Sequence, residues 1–218
     1  MGLKVHLINL IKQYTLENYS TLSGLNILEL GNQEVRPGQG LSEKTGKEYW
    51  TKQGMNHVSV DLNKQHGALK KDLTEKQEFL EFKEMFDVVY NSGTTEHVEP
   101  YEDQYACFDI IDMCTKPGGI MIHSIPEVTN HDKRGMWKGH CHYYYSKEFF
   151  ETTAKESNYE ILYLNVSPRI ITSVLKKTED SSFMQDKDLF LSNIAIRNQN
   201  ANFNNNSDYT YQNKKPSF

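Results

Sequence analysis

The sequence predicts an α/β fold in which helices cover both faces of a mostly parallel sheet. Three observations carry this. Short runs rich in aliphatic residues recur, as in NILELG (26–31), HVSVDLN (57–63) and FDVVYNS (86–92). Segments with helical spacing stand between such runs, as at Tyr105, Phe108 and Ile111. Small or polar residues end the strand runs, where open sheets of this kind bind ligands.

In chain order, Leu3, Leu7, Leu10 and Tyr14 give an amphipathic helix over 3–20. The run 26–31 reads as a buried strand, and the polar, Gly-bearing stretch 32–54 as a loop around a short helix. HVSVDLN is a second strand. DLTEKQEF (72–79) predicts a helix start, with Thr74 as cap and Gln77 reaching back. FDVVYNS is the third strand, 101–114 a helix, and GIMIHSIP (119–126) the fourth strand, reached through Pro117-Gly118-Gly119. Ser146 can cap a helix over 147–156. YEILYLNV (159–166) and FLSNIAIR (190–197) are the closing strands. From Asn198 the chain is Asn-rich and is expected to be a mobile tail, so the domain spans 1–197 and the tail 198–218.

With 218 residues, 37% of them apolar, the chain suffices for one domain with a sizeable core. Its net charge of -5, with both signs interspersed, gives no basic stripe, so no nucleic-acid partner is expected. Cys107, Cys114 and Cys141 form neither a disulfide framework nor a zinc knuckle. The opening MGLKVHLINLIKQY lacks a cleavage signature, and position 6 is His where a myristoylation motif needs Ser or Thr. No stretch is long enough to span a bilayer. A cytoplasmic protein with no membrane association is expected. Oligomeric state leaves no mark in the sequence.

Four stations at strand ends can carry chemistry. In ELGNQE (29–34), Gly31 lets backbone amides approach a ligand, and Glu29 can accept from the amino group of a bound amino acid moiety. A tight turn alone would also explain Gly31. Asp61 can take both hydroxyls of a ribose, or be a solvated strand-end carboxylate. Asp72 can accept from an adenine amine and Leu73 can pack on the ring, although a helix-start Asp is also favoured by the dipole. The fourth station is Tyr90-Asn91-Ser92, followed by GTTEHV (93–98).

Taken in order, strand-Gly, strand-Asp, Asp before a helix, FDVVYNSGTTEHV and KPGGIMIHSIP resemble the class I S-adenosylmethionine-dependent methyltransferases over about residues 25–165. The resemblance implies a Rossmann-like, seven-stranded sheet with an antiparallel last strand, and S-adenosylmethionine as cofactor. It implies that Glu29, Gly31 and Asn32 line the methionine end. Asp61 would hold the ribose with Leu62 beside it, Asp72 and Leu73 would meet the adenine, and Asn91 and Ser92 would lie under the methionine. It makes residues 1–23 an N-terminal helix or lid, with Tyr14 and Tyr19 over the cofactor. Two departures stand out: Gly31 is followed by Asn32-Gln33-Glu34 rather than more glycines, and residues 36–54 look inserted. The fourth station is not the Asn-Pro-Pro-Tyr type suited to DNA-base amines. A small-molecule acceptor, methylated at oxygen, is the expected substrate.

Methyl transfer needs an aligned nucleophile and a base for its proton. His140 and His142, two apart in GHCHYYYS (139–146), are the first candidates, then His97. Hydrogen bonds within the loop would explain them equally. No spacing requires a metal, and none is assigned, although His97, His140, His142 and Glu96 would suit one if they converged. Trp50, Trp137 and Tyr143 to Tyr145 suggest an aromatic lid or plain core packing. Competing readings are a nucleotide-dependent oxidoreductase, which lacks its GxGxxG, and a non-catalytic domain of the same fold acting through protein contacts.

Overall fold

In a computed structural model, residues 2–128, 141–197 and 209–210 are described. The opening helix α1 (Val5–Tyr19) buries Leu7, Ile8 and Ile11, and stops where Ser20 turns left-handed at φ 60°. β1 (Asn26–Leu30) and β2 (Asn56–Val60) flank α2 (Gly46–Lys52), whose first turn is capped by the Thr45 hydroxyl accepting from Glu48 N at 3.1 Å. β3 (Phe86–Ser92), α3 (Asp103–Cys114) and β4 (Thr115–Pro126) follow. After β5 (Tyr143–Tyr145), Ser146 caps α4 (Lys147–Ser157) as expected, accepting from Phe149 N at 3.1 Å. The described chain ends in β6 (Tyr159–Val166), β7 (Ile170–Lys177), α5 (Lys187–Ser192), β8 (Ile194–Arg197) and β9 (Tyr209–Thr210).

The main sheet runs β2-β1-β3-β4-β7-β6. The first four strands are mutually parallel, and β7 pairs antiparallel with both β4 and β6. Side chains alternate between faces. Leu28, Leu30, Val89 and Met121 point to the α3–α4 side and join a large aromatic core. Ile27, Val88, Tyr90, Ile120 and Ile122 point to the α1–α2 side and join a second, smaller one. β5, β8 and β9 form a separate antiparallel sheet. Of the stretch read as tail, Tyr209–Thr210 pairs with β8, and the rest lies outside the described residues.

Among the described residues the main sheet has six strands, not seven. After Asp61 the chain contributes one parallel bridge, Val60↔Leu69, with Leu69 N donating to Ser59 O (2.8 Å) and Asp61 N to Leu69 O (3.0 Å). Left-handed residues at Lys64 and His66 before it, and Lys70-Lys71 after it, leave no alternating apolar run to extend the bridge.

The closing pair is also corrected. The antiparallel strand is β7, IITSVLKK, rather than FLSNIAIR. The run 190–197 instead divides into the end of α5 and β8 in the second sheet. Asp186 caps α5 by accepting from Leu189 N at 2.8 Å, and Phe190 anchors it among Phe108, Phe149 and Phe183. The helix expected over 72–79 is a 3-10 turn at Lys76–Phe82, and Thr74 does not cap it. Thr74 donates both its amide (3.0 Å) and its hydroxyl (2.9 Å) to Asp72 Oδ1, closing a local turn that competes with a helix.

Candidate functional site

The carboxyl ends of β1, β2, β3 and β4 form one rim. At its centre Gly31, φ 79°, donates its amide to Val60 O at 2.9 Å. A Cβ there would lie 2.6 Å from Thr94 Oγ1, and that hydroxyl donates to Leu30 O at 2.7 Å. Glycine is therefore required by the turn after β3 packing onto the turn after β1, besides the positive φ.

Glu29 is buried beneath this loop. Its Oε1 accepts from Gln33 N at 2.5 Å, and its Oε2 meets His57 Nε2 at 2.6 Å. The hydroxyl of Tyr90 also bonds to it, and that hydroxyl's pKa is held well above the ordinary range by burial and then by the Glu29 charge. Trp50 Nε1 donates to the same hydroxyl at 3.2 Å. Gly46 closes the group from α2, since a Cβ there would lie 2.6 Å from Glu29 Oε2. The carboxylate thus clamps the loop from within. Asn32 ties loop to loop, its Nδ2 donating to Asn63 Oδ1 (2.8 Å) and Gln65 O (2.9 Å).

Asp61 is half-buried. Its Oδ1 accepts from Asn63 N at 2.9 Å, while Oδ2 has no partner among the described residues. Leu62 beside it is 59% exposed. Leu73 lies in the large core, and Asp72 Oδ1 is occupied by Thr74. Asn91 and Ser92, neighbours in sequence, face opposite sides. Asn91 is buried toward α3; its Nδ2 donates to Thr95 Oγ1 at 2.8 Å and lies 3.4 Å from His123 Nδ1, while its Oδ1 accepts from Thr94 N at 3.2 Å. Ser92 faces the α1 side and lines a cleft.

His97 and His142 share one edge of the rim. His142 N donates to Glu96 O at 3.3 Å, and its exposed ring lies 3.5 Å from Glu99 Oε1. His97 Nε2 is 3.8 Å from Glu96 Oε1. His140 and Trp137 lie outside the described residues. Glu96 itself is fully buried with neither oxygen hydrogen-bonded, and burial raises its pKa to about 7. No group of three or more potential metal ligands converges among the described residues. Trp50 and Tyr143 to Tyr145 are buried, so they pack rather than form a lid. Tyr19 does not cover the rim: its hydroxyl donates to Asp87 O and Gly118 O (both 3.2 Å) at the opposite end of the sheet. Tyr14 packs on Tyr163, with centroids 5.8 Å apart. The start of α1, not its end, faces the rim, because the helix runs away from it.

Sequence reasoning missed the cleft. About 950 Å³ in volume, it opens between Ser92, Ser124 and the start of α1, and Lys4, His6, Arg36 and Arg169 contribute its charged lining. Those residues come from the first turn, from the stretch read as inserted, and from the β6–β7 turn. No local spacing connects them. His123 was missed as well: burial drives its pKa down to about 3, and its ring stacks on Phe108 at 5.3 Å, so it is a neutral support for Asn91.

Comparison with known proteins agrees with this architecture. Residues 17–164 match the family model described as "Methyltransferase domain". No curated protein matches the chain. Among solved structures, 1,6-didemethyltoxoflavin-N1-methyltransferase from Burkholderia thailandensis is 14% identical, with 78% of each chain covered and a TM-score of 0.51. That structure holds 1,6-didemethyltoxoflavin and S-adenosylhomocysteine. A SAM-dependent methyltransferase from Archaeoglobus fulgidus is 15% identical, covering 78% of this chain and 94% of its own, at TM-score 0.54. The PH0226 protein from Pyrococcus horikoshii OT3 is 14% identical, covering 79% and 90%, also at 0.54.

Proposed function

We propose, from the premise that this chain belongs to the methyltransferase-domain family and is an S-adenosylmethionine-dependent methyltransferase, that its acceptor is a small molecule methylated at oxygen. The observation that carries this reading is the cleft beside Ser92. Its 950 Å³ falls in the range of small-molecule sites, and it adjoins the rim where the cofactor fits. The occurrence of 1,6-didemethyltoxoflavin with S-adenosylhomocysteine in the Burkholderia thailandensis structure supports a small acceptor.

The residues present suit the cofactor. Asp61 keeps one carboxylate oxygen for the ribose, and exposed Leu62 offers it an apolar wall. Glu29, Asn32 and Asn91 are spent on protein partners, so their part is to fix the loops against which the methionine end lies. Asp72 would bound the adenine side in this reading, whereas Leu73 is buried in the large core and supports it from behind. When bound, the cofactor supplies an activated methyl group and its own leaving group. The chain must orient the acceptor and take a proton from its hydroxyl. His142 and His97, exposed at the rim, are the bases in this reading, and His140 is the third candidate.

Incubation with methyl-labelled S-adenosylmethionine and a panel of phenols, sugars, carboxylic acids and amines tests it. Labelled ethers or esters are expected. Label confined to amines would reassign the acceptor atom, and cofactor binding without transfer to any class would return the domain to a binding role.

A further inference from the structure

The cleft beside Ser92 has a charge pattern that the transfer of a methyl group does not by itself require. Residues Leu3 and Val35 form a parallel bridge, secured by Leu3 N donating to Glu34 O (2.8 Å) and Arg36 N donating to Leu3 O (3.0 Å). Both bridge residues are buried. By alternation, the next residue on each side, Lys4 and Arg36, turns outward, and both are exposed. Two cations are therefore held side by side by backbone pairing. Gly2 tightens the arrangement, since a Cβ on it would lie 2.9 Å from Arg36 Cγ. Val5 N, donating to Gln39 Oε1 at 3.0 Å, pins the same segment from the other side.

His6 completes the group one position beyond. Its pKa is lowered by burial and then by the Lys4 charge. Arg169, which is engaged by other contacts, adds positive charge to the lining. Among the described residues no carboxylate lines the cleft. Glu34, two residues before Arg36, directs its side chain to His66 at 3.2 Å instead. Like charges held together without a counter-charge repel, and an anion relieves that repulsion.

Resting on the methyl-transfer reading above, we infer that the acceptor carries an anionic group, a carboxylate or a phosphate, and that Lys4, His6 and Arg36 bind it in the cleft while the methyl-accepting atom lies toward Ser92. The cofactor's own carboxylate is the other possible source of that charge. Position argues for the acceptor. Lys4 and His6 precede the span 17–164 that matches the family model, the cleft wall at Ser167–Thr172 follows it, and Arg36, though inside it, opens the stretch 36–54 by which the chain departs from the family pattern. The cofactor is what family members share, so residues outside the shared span suit the part of the reaction that differs.

The test uses the full chain loaded with S-adenosylhomocysteine, and follows the ring resonances of His6 by NMR as inorganic phosphate or succinate is added at neutral pH. A saturable shift is expected with at least one of the two. In Lys4→Gln/Arg36→Gln the same shift should need about tenfold more anion, while calorimetry shows unchanged affinity for S-adenosylhomocysteine. The sites are exposed, and each single variant serves if the double one misfolds. No saturable shift, or equal anion binding in the variant, overturns the inference. A matching loss of S-adenosylhomocysteine affinity also overturns it, by giving the cations to the cofactor. Because anion binding is read without turnover, failure of methyl transfer is scored separately. Where transfer occurs, acids should outperform their amides as acceptors.

Discussion

The two faces of the main sheet are built to different standards of completeness. On the α3–α4 side the packing runs from Phe79, Phe82 and Phe86 at one end through Phe108 and Phe149 to Phe190, and continues into the β5 strand through Tyr143 and Tyr145. Some polar groups there are drawn into a shared network, with Tyr145 donating to Gln104 Oε1 at 2.7 Å and Gln104 Nε2 donating to Thr95 O at 2.8 Å, while buried Glu96 stays outside it. On the α1–α2 side the core fills the amino-terminal part of the sheet and then stops, leaving the basic cleft at the carboxyl end. One face supplies rigidity and the other supplies vacancy. A rim that must hold two ligands in line needs both, because alignment comes from the packed face and access from the open one.

Substitutions can break or sharpen that contrast. The largest effect is expected from Phe149→Ala on the packed face, with about 3–5 kcal/mol of stability lost by chemical unfolding and no specific loss of cofactor affinity in the folded fraction. A loss under about 1 kcal/mol would show that this face is not the frame. At the rim, His142→Ala should lower turnover about a hundredfold, the scale of a lost base, and leave cofactor affinity in place. Parallel losses in both would make His142 a structural residue.

Glu96 tests the packed face by pH. Burial raises its pKa from 4.5 to about 7, so the folded chain holds the proton where the unfolded chain has released it. The folded state is therefore favoured by this group below about 4.5, and that contribution is lost as pH rises through about 7. Glu96→Gln removes this slope and should be more stable than the parent by about 3 kcal/mol in mild alkali. Identical pH profiles for the two proteins would mean that Glu96 is solvated. Asp61→Ala, on the open side of the rim, should weaken S-adenosylmethionine binding by about 1–3 kcal/mol in calorimetry, with thermal stability nearly unchanged. Smallest of all, Tyr19→Phe at the far end of the sheet should cost about 1 kcal/mol of stability and no activity. An effect of Tyr19→Phe on cofactor affinity would restore it to the lid.

What could be read in advance follows the same division. β1, β2 and β3 declare themselves as short apolar runs, and the Ser146 cap of α4 is a local signal that tertiary structure leaves alone. Asp61 and Gly31 were legible because strand ends mark the rim. Their surroundings were not. Glu29 looks from the sequence like a ligand-facing carboxylate, and only folding brings His57, Tyr90 and Gly46 around it. β7 was missed because Ile170–Lys177 mixes buried Ser173 and Lys177 with its aliphatic residues, and the buried lysine is satisfied by Asp112 on α3, donating to its carbonyl at 2.8 Å and its carboxylate at 3.0 Å. The cleft was illegible for a plainer reason: Lys4 and His6, Arg36 and Arg169 come from three separate chain segments, and no local spacing says that they meet.

The place of β7 in the sheet has a consequence for how the molecule is made. It sits between β4 and β6 but is synthesised after both. A nascent polypeptide that has emerged as far as Val166 can already join β2, β1, β3 and β4, yet the outer margin of β4 stays bare until Ile170–Lys177 leaves the ribosome and inserts. Bare margins of that sort recruit strands from neighbouring molecules. Recombinant yield should therefore depend on how quickly translation clears this stretch, and co-expressed chaperones should help most when it is slow.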